Sequence, residues 1–338
     1  MKIAFFSGEK WEQEYFSGLL KEKNVQADLI FHDKFLSEDN LPDDRTFEIA
    51  CVFVDSVISA EVISRLPNLK IIVTRSTGYD HIDLKTCQER GIAVAFVPAY
   101  GEHTVAEYAF ALILSLSRKI YESFDRIKET GSFDLKGLRG FDLNGKILGV
   151  VGTGRIGKNV VKIANGFGMK VLAYDLMPDK EFEKDNNFSY VSLEELLNQS
   201  DIVTLHVPYM KETHHLLNDE TIKLMKPGSY LINTSRGAVV ETEALVKALR
   251  RGQVAGAGLD VLEEEGAVKD EMTFLTIGHP EESNLRTVLA NHILIDTPNV
   301  IITPHNAFNT QQALERILQT TLENITSFIE GSPKNLIG

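Results

Sequence analysis

The sequence predicts an α/β protein with two doubly wound parallel-sheet domains, and three observations carry that reading. Its 338 residues exceed what one hydrophobic core usually serves. Apolar runs of strand length alternate with helical patterns through two separate stretches, the rhythm of βαβ units. Between the stretches the rhythm breaks at Pro98, and a long helical segment begins near His103.

The first alternation passes through KIAFFS, WEQEYFSGLLKEK, ADLIFHD, ACVFVD, SAEVISRLP, KIIVTRST, HIDLKTCQERG and IAVAFV. After Pro98, residues Ala106, Ala109, Phe110, Ile113 and Leu114 recur at helical spacing, which places a domain crossing near residue 100. The second alternation runs through KILGVVGTG, KVLAYD, DIVTLHVP, SYLINTSRG, VAGAGLDV and NVIITPH, with helices between. Ser192 and Glu195 in SLEELLNQ have the spacing of a capping box, in which two side chains satisfy amides of the first helical turn. From Glu263 to Pro298 an acidic and polar insertion interrupts the pattern around one helical segment, SNLRTVLA. The tail QQALERILQTTLENITSFIEG is a final amphipathic helix closed by Gly331.

Composition narrows the function. Apolar residues make up 43% and charged residues 25%, as in ordinary soluble globular proteins. A net charge of -13, with 35 scattered Lys and Arg, repels polyphosphate backbones, so no nucleic-acid partner is expected. Cys51 and Cys87 stand in unrelated contexts, which suggests neither a disulfide framework nor a cysteine metal site and fits a reducing cytoplasm. MKIAFFSGEK reads as a first strand and not as a signal peptide. The most apolar helical stretch, Tyr108 to Ser117, is too short to span a bilayer and is closed by Arg118 and Lys119, so no membrane segment is expected. The remaining histidines, the adjacent His214 and His215 included, lack metal-ligand spacing and read as structural or surface residues; no metal is expected.

The stretch GVVGTGRIGKNV places Gly152, Gly154 and Gly157 directly after a strand and at the start of a helix. Asp175 closes the next strand, eighteen residues past Gly157. This is the dinucleotide fingerprint: the first glycine permits the sharp turn, the second lets the backbone approach a pyrophosphate, and the third lets helix and strand pack closely. The helix N-terminus offers unbonded N–H groups and a positive dipole end to the phosphates. Asp175 would accept hydrogen bonds from ribose hydroxyls and repel a phosphate there, which favours NAD over NADP.

In open parallel sheets, ligands lie beyond the carboxyl ends of the strands. The segments at those ends are TRSTG, HVP at 206–208, TSRG at 234–237, DVLEEEG at 260–266 and TPHN at 303–306. They supply a cation, a run of carboxylates and an imidazole. A nicotinamide cofactor exchanges hydride with a carbon whose oxygen gains or loses a proton, so an acid/base group is required. His305 suits that role. A carboxylate beside it would stabilise the imidazolium, and Glu263, Glu264 and Glu265 all remain open for that place. Arg236 could grip a carboxylate or polarise a carbonyl with its fork of donors.

Taken together, GVVGTGRIG, HVPYMKETHHLLN, LINTSRGAVVETEAL, GAGLDVLEEE and TPHNAF resemble the successive signature segments of the D-2-hydroxyacid dehydrogenases. TRSTGYDHIDL and VPAYGEHTVAEYAFALIL resemble the D-lactate dehydrogenase branch of that family, so the likeness spans nearly the whole chain. It implies a flavodoxin-like substrate domain, residues 1–100 plus 302–338, and a Rossmann NAD-binding domain, residues 101–301, with the active site in the cleft between them. Carried over, it implies Arg236 as the substrate-binding arginine, His305 as proton donor or acceptor and Glu265 as its partner. Amides of Thr77 and Gly78 would hold the substrate carboxylate, with Tyr100 and Phe308 lining the pocket.

For the cofactor, the resemblance points to Arg155 and Ile156 at the pyrophosphate and Asp175 at the adenosine ribose. His206, Val207 and Pro208 would lie on the adenine side with Thr213 nearby, and Thr234, Ser235 and Asp260 would face the nicotinamide. The implied reaction is NADH-dependent reduction of a small 2-oxo acid, pyruvate first, by a homodimer with the helix from His103 as a contact element. Two departures touch the substrate side: Asn309 stands where many D-lactate enzymes carry Tyr, and Gly101-Glu102 stands where Ser-Pro is usual. The same framework serves branched 2-oxo acids, glyoxylate, hydroxypyruvate or phosphite, and also NAD(H)-sensing corepressors. Retention of Arg236, Glu265 and His305 together favours the enzyme.

Overall fold

The computed structural model describes residues 1–265 and 282–337, so residues 266–281 of the expected insertion lie outside the described residues. The chain divides into two compact units, Met1–Tyr100 with Asn309–Gly338, and Gly101–Phe308. The return to the first unit thus falls after Phe308 and not at 302. Its cause is local: His305, Asn306 and Ala307 all donate their amides to Asp260 at the end of a second-unit strand.

The first unit is built on five parallel strands, β1 (Lys2–Phe6), β2 (Asp28–His32), β3 (Ile49–Val52), β4 (Ile71–Thr74) and β5 (Ala93–Ala95), in the order β2-β1-β3-β4-β5. Strand alternation sends Ile3 and Phe5 to one face and Ala4 and Phe6 to the other. Helix α1 (Lys10–Glu22) and the C-terminal helix Gln311–Ile329 cover the first face with Phe16, Leu20, Leu318, Leu322 and Ile325. The other face is covered by α2 (Ala60–Ser64) and α3 (Leu84–Glu89), through Val62, Ile63 and Cys87. Both faces are buried, which is why these strands read as continuous apolar runs.

The second unit has seven parallel strands, β6 (Ile147–Val151), β7 (Lys170–Tyr174), β8 (Ser189–Tyr190), β9 (Ile202–Leu205), β10 (Ser229–Asn233), β11 (Val254–Leu259) and β12 (Val300–Ile302). Their order, β12-β11-β10-β9-β6-β7-β8, reverses direction at β6, and such a switch point opens a crevice at the carboxyl edge. One face carries α4 (Glu102–Ser117), whose Ala106, Ala109, Phe110, Ile113 and Leu116 pack with Val160, Val161 and Ala164 of the helix that follows β6. Helix α5 (Ile120–Thr130) has no buried residue. Strand β8 is absent from the sequence expectation because two residues display no alternation.

The helix α6 (Arg155–Gly166) follows β6, and α7 (Lys180–Asp185) precedes β8. On the other face lie α8 (Leu193–Gln199), α9 (Thr242–Arg250) and α10 (Glu282–Ile295). Ser192 does cap α8, its hydroxyl accepting the Glu195 amide at 3.1 Å, but the Glu195 carboxylate bonds Gln199. Only half of the expected capping box therefore forms. Among the described residues, no helix is long and apolar enough to cross a membrane.

Candidate active site

The carboxyl edge of the second sheet collects the residues singled out above. Asp175 follows β7, Gly152 follows β6, His206 follows β9, Arg236 lies three residues beyond β10, Asp260 follows β11 and His305 lies three beyond β12. All these strands are parallel, so their carboxyl ends share one edge. At a spacing of about 4.8 Å per strand, β10 and β12 stand roughly 10 Å apart.

The glycine loop is shaped by close approach. Gly152 has φ of 92°, and a Cβ there would sit 2.7 Å from the His206 carbonyl oxygen. A Cβ on Gly157 would sit 2.0 Å from the Gly152 oxygen, so helix α6 reaches β6 only because that position is bare. Gly154 differs: among the described residues a Cβ there meets no atom within 4 Å, so their packing does not call for a glycine. Gly154 also begins α6 without a side-chain cap, and the first turn holds no acidic residue. An open cradle before unbonded amides suits a pyrophosphate. Arg155 is exposed and Ile156 half-buried beside it.

Asp175 is held by the same loop. Its Oδ2 accepts the Thr153 amide at 2.6 Å and the Thr153 hydroxyl at 2.9 Å, and its Oδ1 accepts the Met177 amide at 2.9 Å. Across the switch point, His206 bonds Thr204 through Nε2 at 2.9 Å, and burial pushes its imidazole down to about 3. The imidazole is therefore neutral at physiological pH. Val207 is half-buried and Pro208 exposed, and the Thr213 hydroxyl closes the following turn by donating to the Pro208 carbonyl at 2.7 Å. Thr213 accordingly shapes the loop from within. Among the described residues the buried Thr234 hydroxyl at the end of β10 has no hydrogen-bond partner, an orphan that a cofactor carboxamide fits. The residues present therefore fit NAD: Gly154 and the α6 amides for its phosphates, Asp175 for its ribose, Thr234 for its nicotinamide half.

Buried Asn233 aims the arginine. Its Oδ1 accepts the Ser235 amide and hydroxyl at 3.0 and 2.8 Å, and its Nδ2 donates to the Arg236 carbonyl at 2.9 Å. The Arg236 guanidinium is half-buried and donates to the Ser235 carbonyl at 2.8 Å. Sequence reasoning missed Asn233, although a polar residue closing the apolar run SYLIN has to find partners when buried.

Of the three glutamates, only Glu265 reaches His305, with Oε2 at 3.3 Å from Nδ1. Glu265 Oε1 accepts the Leu262 amide at 2.9 Å, which fixes its side chain. Glu263 turns elsewhere: Oε2 caps α9 by accepting the Thr242 amide and hydroxyl at 2.8 and 2.6 Å, and Oε1 meets His215 Nε2 at 2.6 Å. Glu264 is exposed. His305 itself has φ of 53°, a left-handed backbone that costs about 1–3 kcal/mol. Asp260, 1% exposed, maintains it, accepting from the Thr303 hydroxyl at 2.5 Å and from the Asn306 and Ala307 amides at 2.8 Å each. Burial raises its carboxyl above the ordinary range against the pull of those donors. Phe308 stands edge-on to the imidazole, with ring centroids 6.4 Å apart. Among the described residues no group of three His, Cys, Asp or Glu could hold a metal.

In the first unit, the loop after β4 offers two amides. The Ser76 hydroxyl donates to the Gly78 carbonyl at 2.6 Å and pairs with Thr74 Oγ1 at 2.6 Å, while the Thr77 hydroxyl donates to the Val97 carbonyl at 3.0 Å. Loop shape is thus set from below, and Thr77 and Gly78 stay at the surface. Tyr100 is half-buried, and its carbonyl accepts from Arg316 at 2.5 Å. Arg75, directly after β4, is unavailable to a ligand. It is 2% exposed, paired with Glu12 at 3.1 Å and bonded to the Phe6 and Ser7 carbonyls at 2.7 and 3.1 Å.

Comparison with known proteins agrees with this edge. Residues 110–307 match the model of the D-isomer specific 2-hydroxyacid dehydrogenase NAD binding domain. The chain is 40% identical over 332 residues to 2-hydroxyacid dehydrogenase A of Aspergillus oryzae, covering 97% of this chain and 92% of that one. It is 38% identical over 301 residues to the glyoxylate reductase of Thermococcus litoralis, covering 87% and 84% of the two. A solved structure of D-lactate dehydrogenase from Aquifex aeolicus, complexed with NAD and lactic acid, superposes with a TM-score of 0.84 at 40% identity, covering 98% of this chain and 96% of that one. With a dinucleotide loop, an imidazole–carboxylate pair and a guanidinium along one sheet edge, the chain belongs to the NAD-dependent D-2-hydroxyacid dehydrogenases.

Proposed function

We propose that this dehydrogenase reduces pyruvate to D-lactate with NADH, reversibly. The observation that carries the assignment of roles is the contact between His305 and Glu265 on the edge that also presents Arg236 and the glycine loop. NAD, when bound, supplies or accepts the hydride. The rest falls to the chain's own residues. Arg236 orients the substrate through its planar fork of donors. The amides of Thr77 and Gly78 take the substrate carboxylate. His305 delivers a proton from Nε2 to the forming hydroxyl, while Glu265 at Nδ1 keeps the ring oriented and stabilises its charged form. Phe308, edge-on to the His305 ring, is the aromatic wall on the substrate side of the imidazole. Support for pyruvate comes from the likeness to a D-lactate dehydrogenase complexed with lactic acid.

A second copy of the chain fits the apolar face of α5. Ile120, Phe124 and Ile127 share one side at helical spacing and are 52%, 62% and 45% exposed, and Phe133 and Leu135 beyond it are 81% and 80% exposed. Helix α4, the expected contact element, buries nine of its residues within its own unit, so its contribution to a homodimer is limited to its outer edge. Cys51 and Cys87 are unpaired and buried, and burial pushes the thiols up to about 12 and 11, which suits a reducing cytoplasm.

The deciding measurement follows NADH absorbance with pyruvate, glyoxylate, hydroxypyruvate, a branched 2-oxo acid and, with NAD, phosphite. The highest kcat/KM is expected with pyruvate. A hundredfold preference for another member would replace the substrate, and no turnover with any member would leave only a cofactor-sensing role.

A further inference from the structure

We propose that Thr153 and Tyr190 are the positioning residues that set the preference for NAD over its 2′-phosphorylated counterpart, by holding Asp175 in a single orientation. The inference rests on Asp175 being the ribose acceptor and goes beyond it.

Hydrogen-bond chemistry assigns every proton in the cluster. Thr153 Oγ1 lies 2.9 Å from Asp175 Oδ2 and 2.7 Å from Tyr190 Oη. An ionised carboxylate only accepts, so the threonine hydrogen goes to Asp175. Tyr190 therefore donates to Thr153, and its oxygen accepts the Asp179 amide at 3.1 Å. The relay runs from a backbone amide through two hydroxyls to the carboxylate. Thr153 is 4% exposed, so its hydroxyl has little water to turn to. The Tyr190 ring is fixed by Phe188, 5.1 Å away edge-on, and by Lys180, 5.2 Å above it.

This arrangement bears on selectivity because a carboxylate excludes a phosphate only while it stays in the phosphate's place. Oδ2 carries two donors and Oδ1 one, so turning away would break three hydrogen bonds, two of them to backbone amides. With the relay intact the charge stays put, and Oδ1 keeps capacity for a ribose hydroxyl. Without it only the two backbone amides hold the carboxylate, so Asp175 turns aside more readily, which weakens the grip on ribose and relieves part of the repulsion of a phosphate. Strand β8, two residues long, is what brings Tyr190 beside the glycine loop.

The experiment titrates NADH and NADPH into the full-length protein by nicotinamide fluorescence and by calorimetry, with melting curves confirming that each variant folds. Thr153→Val should weaken NADH about three- to tenfold and shrink the NADPH-to-NADH ratio of Kd values by about tenfold. Tyr190→Phe should move both in the same direction by a smaller factor, and Thr153→Ser, which keeps the hydroxyl, should restore the parent values. Adding Thr153→Val to Asp175→Ala should change nothing further, since the relay acts only through that carboxylate. Unaltered binding and ratio in both Thr153→Val and Tyr190→Phe, or full additivity with Asp175→Ala, would overturn the proposal. If Asp175→Ala itself leaves NADH affinity and the ratio unchanged, the ribose assignment has failed instead.

Discussion

His305 Nδ1 and Glu265 Oε2 lie 3.3 Å apart across forty residues of sequence, and Glu265 is itself fixed by the Leu262 amide. One ring nitrogen is thereby committed to the carboxylate, and the other is the proton donor of the proposed reaction. Replacing His305 with Gln should lower kcat by about 10²–10⁴-fold while NADH affinity stays within about twofold. Glu265→Gln keeps the shape without the charge and should lose less, roughly 10-fold to 10²-fold in kcat. Stopped-flow reduction of pyruvate together with NADH titration separates the two effects. Parallel loss of NADH binding in His305→Gln would assign the imidazole to the cofactor.

Arg236 and Arg75 both follow sheet strands, yet their substitutions should fail in different ways. Arg236→Lys keeps the charge and removes the planar fork, so kcat/KM for pyruvate should fall about 10²-fold with stability unchanged. Arg75→Met strips the buried Glu12 of its partner and should cost about 3–5 kcal/mol in urea unfolding. Preserved stability in Arg75→Met, with a raised KM, would move the substrate cation to the first unit.

Periodicity made the two parallel sheets legible, because strands buried on both faces and helices buried on one leave distinct apolar spacings. Arg236, His305 and Asp175 were legible as polar residues placed just beyond apolar runs. The choice among Glu263, Glu264 and Glu265 came from the family resemblance and not from the residues themselves, since adjacent carboxylates are equivalent until the chain turns: Glu263 is drawn away by Thr242 and His215, and Glu265 is left for His305. Likewise Arg75 in TRSTG and Arg236 in TSRG both follow apolar runs, and the pairing that buries Arg75 against Glu12 spans sixty-three residues and has no local sequence signal. Asn233, Ser76 and Tyr190 act through a neighbour's backbone or hydroxyl, and contacts of that kind have no sequence spacing.

Two glycines of one motif should respond oppositely to the same substitution. Gly154 has an ordinary negative φ and open space at its Cβ, so Gly154→Ala should fold with an unchanged Tm. Its methyl would occupy the approach to the α6 amides, and NADH affinity should drop about tenfold or more. Gly157→Ala drives a methyl to 2.0 Å from the Gly152 oxygen, which forces strand and helix apart and should lower Tm by several degrees. Unimpaired NADH binding in Gly154→Ala would place the pyrophosphate elsewhere.

Ser76 governs the two amides offered by the first unit. Its hydroxyl fixes the Gly78 carbonyl, and Thr74 Oγ1, in contact with His81 Nε2 at 3.2 Å, completes the chain of hydrogen bonds. Ser76→Ala lets the Gly78 peptide rotate, so the KM for pyruvate should rise about fivefold to tenfold, with NADH affinity unchanged. Steady-state kinetics at saturating NADH reads this directly. An unchanged KM would show that the loop does not hold the substrate carboxylate.

His206 gives stability a pH dependence that can be located. Burial holds its imidazole at about 3 in the folded chain, against 6.5 when unfolded. Below 6.5 the unfolded chain takes up a proton that the folded chain refuses, so the folded state has its full advantage above 6.5 and loses it as pH falls toward 3. The slope approaches about 1.4 kcal/mol per pH unit well below 6.5, a loss of roughly 2 kcal/mol by pH 5. His206→Gln retains an amide for the Thr204 hydroxyl and carries no titrating group, so its unfolding free energy should fall less between pH 7 and 5. His32, also lowered by burial, leaves a residual slope of the same sign. Urea unfolding at pH 7, 6 and 5 measures both chains, and identical slopes would mean that the His206 ring is solvated in solution.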